Sequence, residues 1–301
     1  MKNIIPEYLN IGDTIGIVAL AGKTNQKHLD NAIAVFTKWG FKTKVGKYIF
    51  ENYNNFSATD EHRLEDINSM IHNPKVKAII SLRGGYGTAR IIDKIDLQYL
   101  KQNPKWLIGF SDITVLHSAM NKMGVCSLHA TMPTNFDTTD IISLESLKNA
   151  LLGLKNRYDI KTEKLNVLGR AEGEIIGGNL SILYSLNATK YDLDFTDKIL
   201  FIEDLNEYLY HLDRMMLNLK LSGKLSKIKA LIVGGMSSML DNETPFGKSA
   251  YEIILEHVKE YNYPVLFNFP AGHIRKNFAL TLGSEVLVDV NAEISNVYFK
   301  Q

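Results

Sequence analysis

The sequence predicts an α/β protein with a parallel sheet in its first half and a second, more strand-rich region after it. Three observations carry this. Short apolar runs alternate with amphipathic stretches through the first half. Glycine and proline punctuate the junctions between them. The rhythm then changes after a polar stretch near residue 160. Alternating strands and helices of these lengths argue for a parallel sheet covered on both faces, and ligands of such sheets sit beyond the carboxyl ends of the strands.

Taken in order, Thr14–Leu20 reads as a strand, and Asn25–Trp39 as a helix with Leu29, Ala32, Ile33 and Phe36 at helical spacing. Gly40 stands just past its end, where a left-handed residue commonly stops a helix. Phe41–Val45 is a second strand. Asp60–Ile71 is helical, with Leu64, Ile67, Met70 and Ile71 on one side and Pro74 beyond its end. Val76–Leu82 is a strand, Thr88–Ile95 a helix, Trp106–Phe110 a strand and Asp112–Lys122 a helix. Leu144–Leu154 is a further helix, and Lys155–Asn166 is polar enough to be a linker. Later strands are expected at Glu174–Ile176, Lys198–Ile202, Ala230–Val233, Val265–Phe269 and Glu285–Val288, with helices at Tyr208–Leu221 and Ser249–Glu260. The expected domains are 1–160 and 161–301.

The 301 residues are 45% hydrophobic and 22% charged, which suits a globular chain with a substantial core. Thirty-four basic and 33 acidic residues leave a formal charge of +1 with no long single-sign block, so nothing points to a nucleic-acid or membrane-surface partner. The single cysteine, Cys126, allows no internal disulfide and no Cys-based zinc site. The first residues lack a signal-peptide layout, and no apolar run approaches the roughly 18 residues of a membrane span. A soluble cytoplasmic protein is the expectation, with no cofactor and no metal.

Ser111 lies where the strand Trp106–Phe110 meets a helix, a strand-to-helix turn of the kind that exposes a nucleophilic Oγ beside free helix amides. Gly109-Phe110-Ser111-Asp112-Ile113 departs from G-x-S-x-G at Ile113, and Ser111 or Asp112 would equally serve as a helix N-cap. A serine needs a base and the base an orienting acid. Of eight histidines, His28, His62, His72 and His257 accompany charge-rich helices and read as solvated. His117 is about 240° round the helix from Ser111 and poorly placed to reach back. His129 and His211 carry no flanking signal. His273 sits in the loop after Val265–Phe269, where catalytic groups collect, although a surface histidine is the plain alternative. Glu203 and Asp204 end the apolar run Ile199–Ile202 and point to opposite sides, so one at most would face a site; either would also cap the helix near Tyr208. Arg83-Gly84-Gly85-Tyr86-Gly87 is a glycine turn between strand and helix, able to offer backbone amides to an oxyanion or a carboxylate. A dinucleotide reading of that turn is weak, since Arg90 replaces the third glycine and Lys105 stands where the ribose-binding acid is expected.

Together these segments resemble the LD-carboxypeptidase family, which includes the microcin C immunity peptidases. The resemblance runs through Gly12-Asp13-Thr14, Ser81-Leu82-Arg83-Gly84-Gly85-Tyr86-Gly87 and Ile108-Gly109-Phe110-Ser111-Asp112-Ile113-Thr114. It continues through Gly177-Gly178-Asn179-Leu180, Phe201-Ile202-Glu203-Asp204 with Asp213-Arg214, and Pro270-Ala271-Gly272-His273. It implies a flavodoxin-like N-terminal domain, a smaller β-rich C-terminal domain, and a triad of Ser111, Glu203 and His273 drawn from both. It further implies an oxyanion hole from the amides of Asp112 and a glycine of the turn, taken as Gly85, and a homodimer. Arg83 or Arg275 would suit a substrate carboxylate, and Tyr86 is a further candidate contact. Ala19-Leu20-Ala21 stands where relatives usually show Ala-Pro-Ser, at the border of the site. The implied substrate is a murein tetrapeptide losing its terminal D-Ala; detoxification of a peptidyl-nucleotide antibiotic is the runner-up. A nucleotide-dependent enzyme and a non-catalytic binding protein are the rival classes.

Overall fold

The computed structural model describes residues 3–300. The chain forms two compact units: residues up to Leu154 together with Arg275–Leu282, and Lys155–Ile274 together with the residues from Gly283 onward. In chain order the first stretch gives β1 (Thr14–Val18), α1 (Gln26–Lys38), β2 (Lys42–Val45), α2 (Asp60–His72), β3 (Val76–Ser81) and α3 (Thr88–Ile91). It continues with α4 (Leu97–Gln102), β4 (Trp106–Gly109), α5 (Thr114–Lys122), β5 (Ser127–His129) and α6 (Ile141–Leu151). Then follow β6 (Arg157–Lys161), β7 (Gly169–Asn179), α7 (Leu180–Ser185), β8 (Ile199–Leu205), α8 (Leu209–Leu221), β9 (Ala230–Ser237) and α9 (Ala250–Val258). The last strands are β10 (Val265–Leu266), β11 (Leu280–Leu282), β12 (Glu285–Val290) and β13 (Ile294–Phe299).

The first unit carries a six-stranded sheet of order β11-β5-β4-β3-β1-β2, parallel except for the antiparallel pairing of β11 with β5. Its parallel part has the 2-1-3-4-5 order of a flavodoxin-like sheet. All of β4 and nearly all of β1 and β3 are buried, which is why these strands read as unbroken apolar runs. The turns after β3 and β4, at neighbouring carboxyl ends, hold the glycine turn and Ser111. The expected division at residue 160 departs from these units in two places: residues 155–160 belong to the second unit, and Arg275–Leu282 returns to the first, where Leu280 and Leu282 are buried against the β5 edge.

The second unit carries a seven-stranded sheet of order β10-β9-β8-β7-β12-β13-β6. Strands β7 to β10 pair in parallel, and β8 and β9 read as continuous apolar runs such as Ile199–Ile202. Strands β12, β13 and β6 are antiparallel and alternate, Glu285–Val290 burying every second residue. The stretch expected as a linker, Lys155–Asn166, contains strand β6. Its buried Tyr158 and Ile160 alternate with exposed Arg157, Asp159 and Lys161, a pattern with too few apolar residues to stand out in the sequence.

Helix α2 differs from its expected facing. Arg63 and Asp66 are buried along with Ile67, Met70 and Ile71, whereas Leu64 is only partly covered. Each buried charge has partners: Asp66 accepts the Lys47 and Tyr48 amides at 2.7 and 3.0 Å, and Arg63 pairs with Asp60 at 2.5 Å. The helix expected over Thr88–Ile95 stops at Ile91, continues as a 3₁₀ turn to Lys94 and is followed by α4, capped by Asp96. His257, expected to be solvated, is 9% exposed and bonds Asp213 at 2.7 Å.

Candidate active site

In the first unit, Ser111 is a non-glycine residue at φ 63°, the left-handed region that costs a serine energy and persists only where the surroundings impose it. It opens a 3₁₀ turn, Ser111–Ile113, that runs directly into α5. The turn is braced from below by His117, which is wholly buried. His117 Nε2 lies 2.9 Å from the Gly109 carbonyl and Nδ1 2.8 Å from Ser127 Oγ. A carbonyl only accepts, so Nε2 carries the proton and the Ser127 hydroxyl donates to Nδ1. Burial pushes the His117 pKa down to about 4, so it is a neutral structural strut.

The glycine turn lies against the serine. A Cβ on Gly84 would come within 2.9 Å of both Ser111 Cβ and Oγ, so any larger residue there would force the serine or the turn to shift. Gly85 has φ 116°, and the Gly22 amide donates to the Gly84 carbonyl at 3.0 Å. Asp112 is buried at 1% exposure and its carboxyl pKa is raised by that burial, with Thr88, whose amide donates to Oδ2, acting the other way. Arg83 and Arg275 are exposed, Arg83 Nη1 donating to the Lys23 carbonyl at 3.0 Å. Tyr86 is 53% exposed, with its ring 6.0 Å from that of Phe56.

In the second unit, Glu203 and His273 meet. Glu203 is fully buried at the end of β8, and its Oε2 lies 2.7 Å from His273 Nδ1 and accepts the His273 backbone amide at 3.1 Å. An ionised carboxylate only accepts, so Nδ1 carries the proton and Nε2 is the basic nitrogen. Burial by itself would lower the His273 pKa. The charge and hydrogen bond of Glu203 outweigh it, so the pKa is raised. Gly272 makes this approach possible, since a Cβ there would sit 2.6 Å from Glu203 Oε2. Asp204 takes the other side of the strand. It accepts from Asn179 Nδ2 and the Ser181 amide, both at 2.9 Å, and so braces the start of α7. Burial, then the neighbouring charge of Glu203, pushes the Asp204 pKa up to about 7.

Two supporting residues escaped the sequence reading. Arg63 sits among charged neighbours on α2 and gave no signal of burial. His117 holds the Gly109 carbonyl, eight residues back, a contact that local spacing does not reveal.

A family model for the LD-carboxypeptidase N-terminal domain matches residues 15–130, and one for the LD-carboxypeptidase C-terminal domain matches residues 172–288. A probable murein peptide carboxypeptidase of Bacillus subtilis is 32% identical over 294 residues, covering 95% of this chain and 92% of that protein. The microcin C7 self-immunity protein of Escherichia coli is 25% identical over 318 residues, covering 93% of this chain and 92% of that protein. Among solved structures, the muramoyltetrapeptide carboxypeptidase of Oxalobacter formigenes superposes with a TM-score of 0.88 at 28% identity, covering 96% of this chain and 99% of that one. With both domain models matched in order and a relative above 30% identity along nearly its whole length, this chain belongs to the LD-carboxypeptidase family of peptidases.

Proposed function

We propose that this chain is a serine carboxypeptidase that hydrolyses an L,D-peptide bond and releases the C-terminal D-amino acid, D-Ala, from murein tetrapeptides. The observation that carries the reading is Ser111 held at φ 63° between β4 and the start of a helical turn, with Gly84 packed against its Oγ. The Bacillus relative, a probable murein peptide carboxypeptidase, and the Oxalobacter muramoyltetrapeptide carboxypeptidase supply the substrate class.

Ser111 Oγ attacks the carbonyl before the terminal residue while His273 Nε2 takes its proton. Glu203 holds the imidazole tautomer and stabilises the imidazolium as it forms. The amides of Asp112 and Gly85 receive the oxyanion, each donor being worth about 3–4 kcal/mol by the usual cost of deleting one. His273 then returns the proton to the leaving amine, and water releases the acyl group by the reverse sequence. An exopeptidase must also recognise a free carboxylate, which the guanidinium of Arg83 or Arg275 suits, with Tyr86 as a neighbouring contact surface. We hold the enzyme to be a cytoplasmic homodimer that needs no cofactor, a reading supported by the family resemblance and the composition.

The test is release of D-Ala from a diaminopimelate- or L-Lys-containing tetrapeptide, native protein beside Ser111→Ala. Release by the native protein alone supports the reading. Equal release by both removes Ser111 from the mechanism. No release from the tetrapeptide but cleavage of an aminoacyl-nucleotide would move the substrate to the antibiotic class, which the microcin relative favours.

A further inference from the structure

The clearest buried group that this mechanism leaves unused in the first unit is the carboxylate of Asp112. Its backbone amide has an assigned task, and its side chain is enclosed in the protein. Oδ2 accepts the Thr88 amide at 2.8 Å. Thr88 is the first residue of α3, immediately after the glycine turn, and Gly87 before it has φ 140° with no side-chain cap. The carboxylate of one loop therefore caps the helix that follows the other.

The cost of this arrangement is visible. Asp112 is 1% exposed, and Oδ1 is buried with no hydrogen-bond partner among the described residues. A buried carboxylate is an expensive cap when serine or asparagine would satisfy the same amide. What distinguishes this one is its surroundings. Arg63, also 1% exposed, favours the Asp112 anion, in opposition to the burial that raises the Asp112 pKa. Arg63 Nη1 fills the space a Cβ on Gly87 would need, approaching to 2.5 Å, and bonds the Leu20 carbonyl. Its Nη2 holds Asp60, which also accepts Arg90 Nε of α3 at 2.9 Å. Helix α3 is thus tied by Asp112 at its first amide and by Asp60 two residues on, at Arg90, with a buried guanidinium beside both acids. A charged acceptor makes a shorter and stronger bond than a neutral one.

We propose that the Asp112 side chain is a positioning residue: its carboxylate clamps the start of α3 to the nucleophile turn and so fixes the Gly85 amide relative to the Asp112 amide and Ser111 Oγ. The inference rests on the reading of Ser111 as nucleophile. Two donors that share one oxyanion must be held to a fraction of an ångström, and the two turns have no covalent link closer than β4.

The experiment compares the full chain with Asp112→Ala and Asp112→Leu, which lack the acceptor, and Asp112→Asn, which keeps one. D-Ala release is measured to saturation, beside Ser111→Ala, with folding checked by circular dichroism. The clamp predicts that the acceptor-free variants lose kcat by about 100-fold with KM changed less than about threefold, and that Asp112→Asn recovers kcat to within about fivefold of native. Where the alanine variant does not fold, the leucine and asparagine pair gives the same comparison. A folded acceptor-free variant with native kcat overturns the proposal, as does an asparagine variant as impaired as alanine, or a loss that lies in KM alone. Native activity in Ser111→Ala overturns the nucleophile and the clamp together. An inactive Ser111→Ala beside a fully active Asp112→Ala overturns the clamp only.

Discussion

Acid should loosen the first unit through His117, by an amount the structure sets. The side chain is neutral and wholly buried, bonding the Gly109 carbonyl and Ser127. Its pKa is about 4 in the folded protein against 6.5 in an exposed histidine. Between those values the unfolded chain binds a proton that the folded one refuses, so stability is complete above pH 6.5 and is lost as the pH falls toward 4. The gap is worth about 3 kcal/mol in full and about 2.5 kcal/mol by pH 4.5. His117→Gln removes the titration while keeping an N–H donor for Gly109. Both tryptophans, Trp39 and Trp106, lie in the first unit, so their fluorescence during urea unfolding reports on that unit. Between pH 7.5 and 4.5 the native protein should lose about 2–3 kcal/mol more than His117→Gln. The subtraction matters because Asp66 and Asp112 of the same unit, whose pKa values burial raises, act in the opposite sense: the folded form binds their protons first, so their contribution to stability falls as pH rises. Parallel losses in native and variant, within about 0.5 kcal/mol, would refute the neutral-strut account of His117.

Two further outcomes follow from the site. Gly84→Ala places a methyl within 2.9 Å of Ser111 Oγ and should lower kcat by about 10- to 100-fold while the protein still folds; native kcat in a folded variant would show that the turn yields freely. Glu203→Gln keeps the shape but removes the charge that holds the His273 pKa up. Its kcat should fall by about 10³- to 10⁴-fold, and the acidic limb of kcat/KM should move to lower pH. An unmoved limb would detach Glu203 from the base.

Sequence alone determined the parallel half of the fold, because strands buried on both faces must be apolar throughout. The runs at Ile15–Val18, Ile79–Ile80 and Trp106–Ile108 have no other economical use. It also placed Ser111 at a strand-to-helix turn and His273 in a loop after a strand, since those positions depend only on where local elements end. Periodicity could not say which charges are buried, because it reports a face and not the partner waiting there. Arg63, Asp66 and His257 each look solvated in isolation and are enclosed by groups distant in sequence: the Leu20 carbonyl, the Lys47 amide and Asp213. The same limit separates Glu203 from Asp204. The strand's alternation sends them to opposite sides, but only tertiary structure brings His273 to one and Asn179 to the other, 70 and 25 residues away. Strand β6 and the return of β11 were hidden for a related reason. Short edge strands bury two residues apiece, and what stabilises them is pairing with a neighbour that the local sequence does not contain.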